Sequence, residues 1–98
     1  METEELIPIL EFARHYSIEV SFIDSLREVG LIDIITVGDT QYIHEDRISD
    51  MERMIRLHYG LEINLEGVDA VSRLLERIDL LQQEIVALKN RLRLYETE

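Results

Sequence analysis

Cysteine is absent from the 98 residues, so disulfides and thiolate metal sites are excluded. That absence fits a reducing compartment. No stretch approaches the roughly 20 apolar residues that span a bilayer. The start, Met1-Glu2-Thr3-Glu4-Glu5, is acidic, whereas a secretory signal starts basic and runs into an apolar segment. No internal repeat, low-complexity tract or linker is present. Basic residues are scarce: ten Lys+Arg stand against 21 Asp+Glu, a formal net charge of -11. A polyanion such as DNA is repelled by such a chain, because non-specific nucleic-acid binding needs a basic face that releases counterions. The expectation is a soluble, cytoplasmic protein with no membrane contact. The acidity has two readings, attraction to a basic protein surface or solubility alone.

Apolar material is plentiful. Hydrophobic residues make up 46% of the chain, enough for a packed core and too much for wholesale disorder. The length allows one core, not two.

The segments follow from local chemistry. Leu6-Ile7-Pro8-Ile9 is extended, since the residue before a proline avoids the α region. A short helix from about Leu10 to Tyr16 presents Leu10, Ala13 and Phe12 or Tyr16 to the core. After a turn at Ser17-Ile18, a second helix from about Val20 to Val29 carries Phe22, Ile23, Leu26 and Val29 on one stripe. Gly30 caps its C-terminus. Ile34 to Val37 and Gln41 to Ile43 flank Gly38-Asp39 and predict a small hairpin. A third helix starts near Glu45, with acids in its first turn where the dipole favours them. Its core stripe is Ile48, Met51 and Ile55, continued by Leu57-His58, and Gly60 ends it.

Asn64 is the N-cap of a fourth helix, uninterrupted from about Leu65 to Tyr95. At about 1.5 Å per residue it makes a rod of roughly 46 Å, too long for a compact domain of this size. Val71, Leu74, Ile78, Leu81, Ile85, Leu88, Leu92 and Tyr95 alternate spacings of three and four, a heptad register with every a and d position apolar. β-Branched residues at a with leucine at d favour two strands. The helix therefore predicts a homodimer, with Leu74, Ile78, Leu81, Ile85, Leu88, Leu92 and Tyr95 as the seam. Its first part, with Val68, Val71 and Leu75, packs on its own domain. Past Leu81 the rest is mostly polar, leaving a narrow seam. Parallel and antiparallel pairing both stay open; in a parallel pair Glu84 faces Lys89 and Arg91 faces Glu96, contacts that contribute little when exposed.

The architecture is thus mainly α: a winged helix-turn-helix domain over residues 1–64, with a small β-hairpin wing, and a long coiled-coil helix over 65–98. DNA reading is the obvious role for such a layout, but the chemistry opposes it. The second helix, Val20 to Glu28, offers one Arg against two acids, where Arg, Lys, Asn and Gln read base edges. The wing, Thr36 to Gln41, has no basic residue for a phosphate. Residues 1–60 carry five Arg and no Lys against 13 acids.

Enzyme chemistry has no better support. His15, His44 and His58 are scattered and match no metal-ligand spacing; His15 and His58 fall near helix C-termini, where a cation complements the dipole. Ser17, Ser21, Ser25 and Ser49 lack a nucleophile-elbow context. No phosphate loop or glycine fingerprint occurs, and a chain this small lacks a deep pocket. The expectation is a non-enzyme with no catalytic residues, cofactor, metal or small-molecule ligand. What remains is acid: Glu45, Asp46, Asp50 and Glu52 on the third helix, then Glu62, Glu66 and Asp69. These either keep the surface solvated or dock a basic partner.

Glu11-Phe12-Ala13-Arg14-His15, then Ile18, the Leu26/Gly30 turn into Leu31-Ile32, and Tyr42-Ile43 before Glu45-Asp46 resemble the MerR-like helix-turn-helix. Arg53-Met54-Ile55-Arg56-Leu57-His58-Tyr59, Leu61 to Val68 and the run Ile78 to Leu94 are similar to chaperone modulators of the CbpM type. The resemblance covers nearly the whole chain and rests on several short motifs rather than one signature. Glu19 departs from the pattern, which usually has a Ser or Thr cap there. The resemblance implies a protein that binds the J-domain of a CbpA/DnaJ-type co-chaperone and inhibits it by competing with Hsp70 (DnaK). It also implies damping of the co-chaperone's DNA binding. The J-domain surface that meets Hsp70 is basic, so an acidic modulator can mimic the Hsp70 side. The resemblance does not fix the contact residues; the seven acids are assigned by charge alone. The competing readings are a MerR-type DNA-binding transcriptional regulator and a coiled-coil adaptor with no chaperone link.

Overall fold

The structure is a computed structural model, and it describes residues 5–96. Strand β1 (Leu6–Pro8) leads into α1 (Ile9–Tyr16) and α2 (Val20–Glu28). Strands β2 (Ile35–Val37) and β3 (Thr40–His44) follow, then a 3-10 turn at Glu45–Arg47, α3 (Ile48–Ile55), a π-turn at Arg56–Gly60, and α4 (Leu65–Glu96). Helix–turn–helix, hairpin and helix form a winged helix-turn-helix with a long helix appended.

The turn between α1 and α2 closes on Ser17, at φ 57. Ile18 N–H donates to the Ala13 carbonyl at 3.0 Å and Ser17 N–H to Arg14, so the helix end is satisfied at the cost of a left-handed non-glycine residue. Helix α2 ends in the same way with the residue suited to it. Gly30 has φ +84. Its N–H meets the Arg27 carbonyl at 3.0 Å and Leu31 N–H meets Leu26 at 2.9 Å. This is a Schellman cap, and Leu26 and Leu31, both buried, provide its apolar contact. In the wing, Val37 pairs with Thr40 across Gly38-Asp39. Positive φ falls on Gly38 and not on Asp39, the pattern of a II′ hairpin turn.

The sheet has three strands, not the expected two. Its order is β1-β3-β2, antiparallel throughout, with Leu6 opposite His44 and Pro8 opposite Tyr42. The segment Leu6-Ile7-Pro8-Ile9 was expected to be extended; Leu6 to Pro8 are, and they form the third strand. Proline is tolerated because β1 lies at the sheet edge, where a missing N–H costs no ladder bond.

Twelve apolar residues form the core, drawn from α1, α2, the loop after it, β3, α3 and the start of α4. Leu10 was expected among them and is 69% exposed. Helix α1 starts one residue early, with Pro8 at its N-cap, so the buried stripe is Ile9, Phe12 and Ala13. One step along a helix turns a side chain by about 100°, and Leu10 faces out. The third helix also differs. It is broken into a 3-10 turn, α3 and a π-turn, and Met54 joins Met51 in the core, while Ile48 and Ile55 are half-buried. The π-turn closes through Leu61 N–H on the Arg56 carbonyl and Ile63 N–H on Leu57, both at 3.0 Å.

Asn64 caps α4 as its residue type predicts: its Oδ1 accepts from Gly67 N–H at 2.8 Å. Of α4's residues only Val68 is fully buried. Arg73 fastens the helix to α2, donating to the Val29 carbonyl at 2.9 Å and to Asp69 at 2.6 Å. From Glu76 to Glu96 every residue is exposed. The rod stretches the molecule to 60 × 39 × 21 Å with a radius of gyration of 17.7 Å, against about 13 Å for a compact chain of this length.

Candidate protein-binding surfaces

Three surfaces carry the functional possibilities. The first is the face formed by α2 and the wing, the face that reads DNA in winged helices. Helix α2 exposes Ser21, Arg27 and Glu28, with Asp24 half-buried. Arg27, its single cation, lies 3.8 Å from Asp24. Glu19 stands at the N-cap without making a side-chain cap bond; it accepts instead from the Ser21 hydroxyl at 3.2 Å. The wing tip, Thr36 to Gln41, is exposed and carries Asp39 as its one charge. Between them an open cleft of about 370 Å³ is lined by Pro8, Ile9, Leu10 and Val20 on one side and Thr36, Asp39, Thr40 and Gln41 on the other. Leu10 and Val37 were not foreseen as surface residues. A helix start at Ile9, legible in Pro8, was the available signal for Leu10.

The second surface is the seam of α4. Leu74, Ile78, Leu81, Ile85, Leu88, Leu92 and Tyr95 are all exposed, on one stripe of an unbroken helix. Val71, the first of the register, is half-buried but is not among the residues packed on the domain core. The seam is less isolated than the sequence pattern indicated, because Leu80, Val86 and Leu94 are exposed outside it. A groove of about 540 Å³ between α3 and α4, lined by Asp50, Arg53, Leu75, Glu76, Ile78, Asp79 and Gln82, joins the seam to the domain.

The third surface is the acidic set, and its members serve different ends. Glu52 accepts from the Tyr16 hydroxyl at 2.5 Å. That bond, burial and the carboxylate's own charge push the Tyr16 phenol above its ordinary value. Asp50 pairs with Arg47 at 3.2 Å, whose other nitrogen donates to the Leu31 carbonyl at 3.1 Å. Asp69 holds Arg73. Glu45 and Asp46 are exposed on the 3-10 turn, where they line a small depression with Glu5 and His44. Glu62 and Glu66 are exposed on either side of Asn64. Three of the seven acids thus have partners within the chain, and four are exposed.

The histidines have local duties. His58 stacks on Phe22 with ring centroids 4.6 Å apart, and Tyr59 meets both edge-on. His58 Nδ1–H donates to the Ile63 carbonyl at 2.8 Å. It braces the loop into α4 rather than complementing a helix dipole. His15 is exposed and packs edge-on against Tyr16. Among the described residues no three His, Asp or Glu side chains are grouped to hold a metal ion, and no helix is long and apolar enough to cross a membrane.

A family model described as MerR HTH family regulatory protein matches residues 7–90. The chain belongs to that family. The match runs from β1 through most of α4, so the family's unit includes the projecting helix as well as the winged domain. By family the chain is a regulatory protein of helix-turn-helix architecture. Neither the curated proteins nor the solved structures contain a match to it. In this member of the family, α2 and the wing hold the position of a DNA-reading surface but carry a single cation, Arg27, 3.8 Å from Asp24.

Proposed function

We propose that the chain is a non-catalytic chaperone modulator of the CbpM type, a homodimer joined through α4 that binds the J-domain of a CbpA/DnaJ-type co-chaperone and inhibits it by competing with Hsp70. The observation that carries this reading is a winged helix whose ligand face is anionic. Residues 1–60 hold 13 acids against five arginines, and the one arginine of α2 is tied to Asp24. A surface of that sign suits a cationic protein and repels phosphate. The exposed acids Glu45, Asp46, Glu62 and Glu66 steer such a partner at long range. The resemblance of Arg53 to Tyr59 and Leu61 to Val68 to the modulators supports the choice of partner.

Calorimetric titration of the full chain into an isolated J-domain tests the reading. The expected result is a saturable complex that weakens as salt rises, since charge steering is screened. No heat and no complex on gel filtration would refute it. The second reading, a DNA-binding transcriptional regulator, is favoured by the family and opposed by the charge. Tight, sequence-dependent retardation of duplex DNA at about 150 mM salt would reverse the ranking.

A further inference from the structure

We propose that the two α4 helices of the dimer run parallel, so that both winged domains sit at one end of the rod and the groove between α3 and α4 of each copy receives the other copy's Arg77. The inference rests on the dimer reading above and gives it an orientation. In the heptad register the e positions flanking the seam are Leu75, Gln82, Lys89 and Glu96, and the g positions are Ala70, Arg77, Glu84 and Arg91. Leu75 is half-buried, and the other seven are exposed on the unbroken helix. Charges at these positions set the orientation of a coiled coil.

A parallel pair sets each g position against the e position of the next heptad in the second copy. Ala70 then meets Leu75, Arg77 meets Gln82, Glu84 meets Lys89 and Arg91 meets Glu96. Every flank is neutral or complementary, and by symmetry each contact occurs twice. The layers agree, with Val71, Ile78 and Ile85 stacked at a and Leu74, Leu81 and Leu88 at d, the choice that suits a parallel two-stranded coil. An antiparallel pair keeps every layer only where Val71 meets Tyr95 and Leu74 meets Leu92. There g faces g, so Arg77 meets Arg91 twice and Glu84 meets Glu84. Sliding by one heptad brings Glu84 to Arg77 but strands Leu92 and Tyr95; sliding the other way brings Glu84 to Arg91 but strands Val71 and Leu74. Only the parallel pair joins a complete seam to matched flanks.

The groove beside the seam fits the same orientation. Asp50, Glu76 and Asp79 line it against the single cation Arg53, with Ile78 and Gln82, and Ile78 belongs to the seam as well. The groove lies on the e side of α4, the side of Gln82. A parallel second copy passes its small Ala70 along that side and then brings Arg77, whose charge the groove's acids complement. The domain itself holds α4 through Leu65 and Val68, at b and e positions, and so leaves the a and d stripe open to the second copy.

The chain has no cysteine, so a single introduced one reports the orientation. Leu92→Cys is made in the full chain, and sedimentation velocity under reducing conditions establishes whether it dimerises as the unaltered chain does. In a glutathione redox buffer it should form a disulfide-linked dimer about tenfold more than in urea, because only the parallel pair holds the two copies of residue 92 together. A dimeric chain whose Leu92→Cys variant links no better than in urea, or links only when mixed with Leu74→Cys, overturns the parallel arrangement and leaves the dimer reading standing. An unaltered chain that sediments as a monomer ends both. The flanks are tested by charge. Lys89→Glu should weaken dimerisation about tenfold, and adding Glu84→Lys should restore it to within about threefold, since the exchanged pair stays matched only in the parallel register. Arg77→Glu should weaken it about fivefold by setting acid on the anionic groove. A Glu84→Lys/Lys89→Glu chain no tighter than Lys89→Glu alone, or an Arg77→Glu chain that dimerises more tightly by losing the clash with Arg91, would refute the flank pairing on which the orientation stands.

Discussion

Between Ile9 and Val68 the chain buries twelve apolar side chains; from Glu76 to Glu96 it buries none, although Leu, Ile and Val recur there at helical spacings too. In the domain, apolar stripes from α1, α2, α3 and β3 face one another, and each completes the others. In the rod, the stripe is covered by none of the described residues. An exposed seam of seven large apolar residues loses the free energy that burial gives, about 25 cal/mol per Å². The difference shows what apolar content cannot reveal: the two regions are made of the same residues, and topology alone decides which stripe is covered. The domain's stripes are covered by its own chain, and the rod's stripe is left open to solvent.

The largest effect belongs to the domain. Leu26 is fully buried, on α2 and at the Schellman cap. Leu26→Ala should cost about 2–5 kcal/mol, the range for a cavity left by a core leucine. Urea denaturation at two protein concentrations measures it. A loss below about 1 kcal/mol would mean the core is less closely packed than the burial of Leu26 implies.

Ile85→Asp attacks the other half of the comparison. It places charge in the a-layer of the proposed dimer, while Ile85 makes no buried contact within its own chain. The dissociation constant should rise by roughly 100-fold, equivalent to about 2.7 kcal/mol, with the domain's far-ultraviolet spectrum retained. Sedimentation velocity reads the outcome. A variant that still sediments as a dimer would remove the heptad seam as the cause of association.

Where the two regions join, Gly67 decides the fit. A Cβ built there meets Ile63 Cγ2 at 2.5 Å and Asn64 Oδ1 at 3.2 Å. In an open helix Gly→Ala would gain about 1 kcal/mol. Here the contact with a half-buried side chain opposes that gain, and overpacking typically costs 1–3 kcal/mol. Gly67→Ala should therefore destabilise by about 1 kcal/mol, and adding Ile63→Ala should recover the helix benefit. The double-mutant cycle in urea separates the two contributions. Stabilisation by Gly67→Ala alone would show that the junction has room to relax.

How much of this was legible in the residues depends on where their partners lie. The Gly30 cap, the Asn64 cap, the hairpin turn and the heptads are signals within a few residues, and the structure has the first three where their chemistry puts them. The stripe of α2 was legible for the same reason. Strand β1 was not, because its partner β3 lies more than thirty residues on and nothing near Pro8 announces a sheet. The π-turn depends on His58 reaching both Phe22 and Ile63, again a distant pairing. On the candidate surfaces, charge could nominate Glu52, Asp50 and Asp69 but could not show that each already holds an internal partner. Leu10 was misplaced by a single residue of helix start, enough to move it from the core to the cleft.

The smallest expected effect tests the domain's polar fastening. Tyr16 on α1 donates to Glu52 on α3. The bond exists only while the phenol keeps its proton, and the phenol is held above its ordinary value of about 10 by that bond, by burial and by the carboxylate's charge. The folded state therefore binds the Tyr16 proton more tightly than the unfolded state does. By linkage, the contribution is complete below pH about 10 and is lost as pH rises through the folded value. Tyr16→Phe should lower stability slightly at pH 8 and flatten its decline between pH about 9.5 and 11. Urea midpoints measured across that range for both chains give the comparison, with the seam variant Ile85→Asp as a control that should keep the decline. If Tyr16→Phe declines with the same slope, the tie between α1 and α3 contributes nothing to the domain's stability.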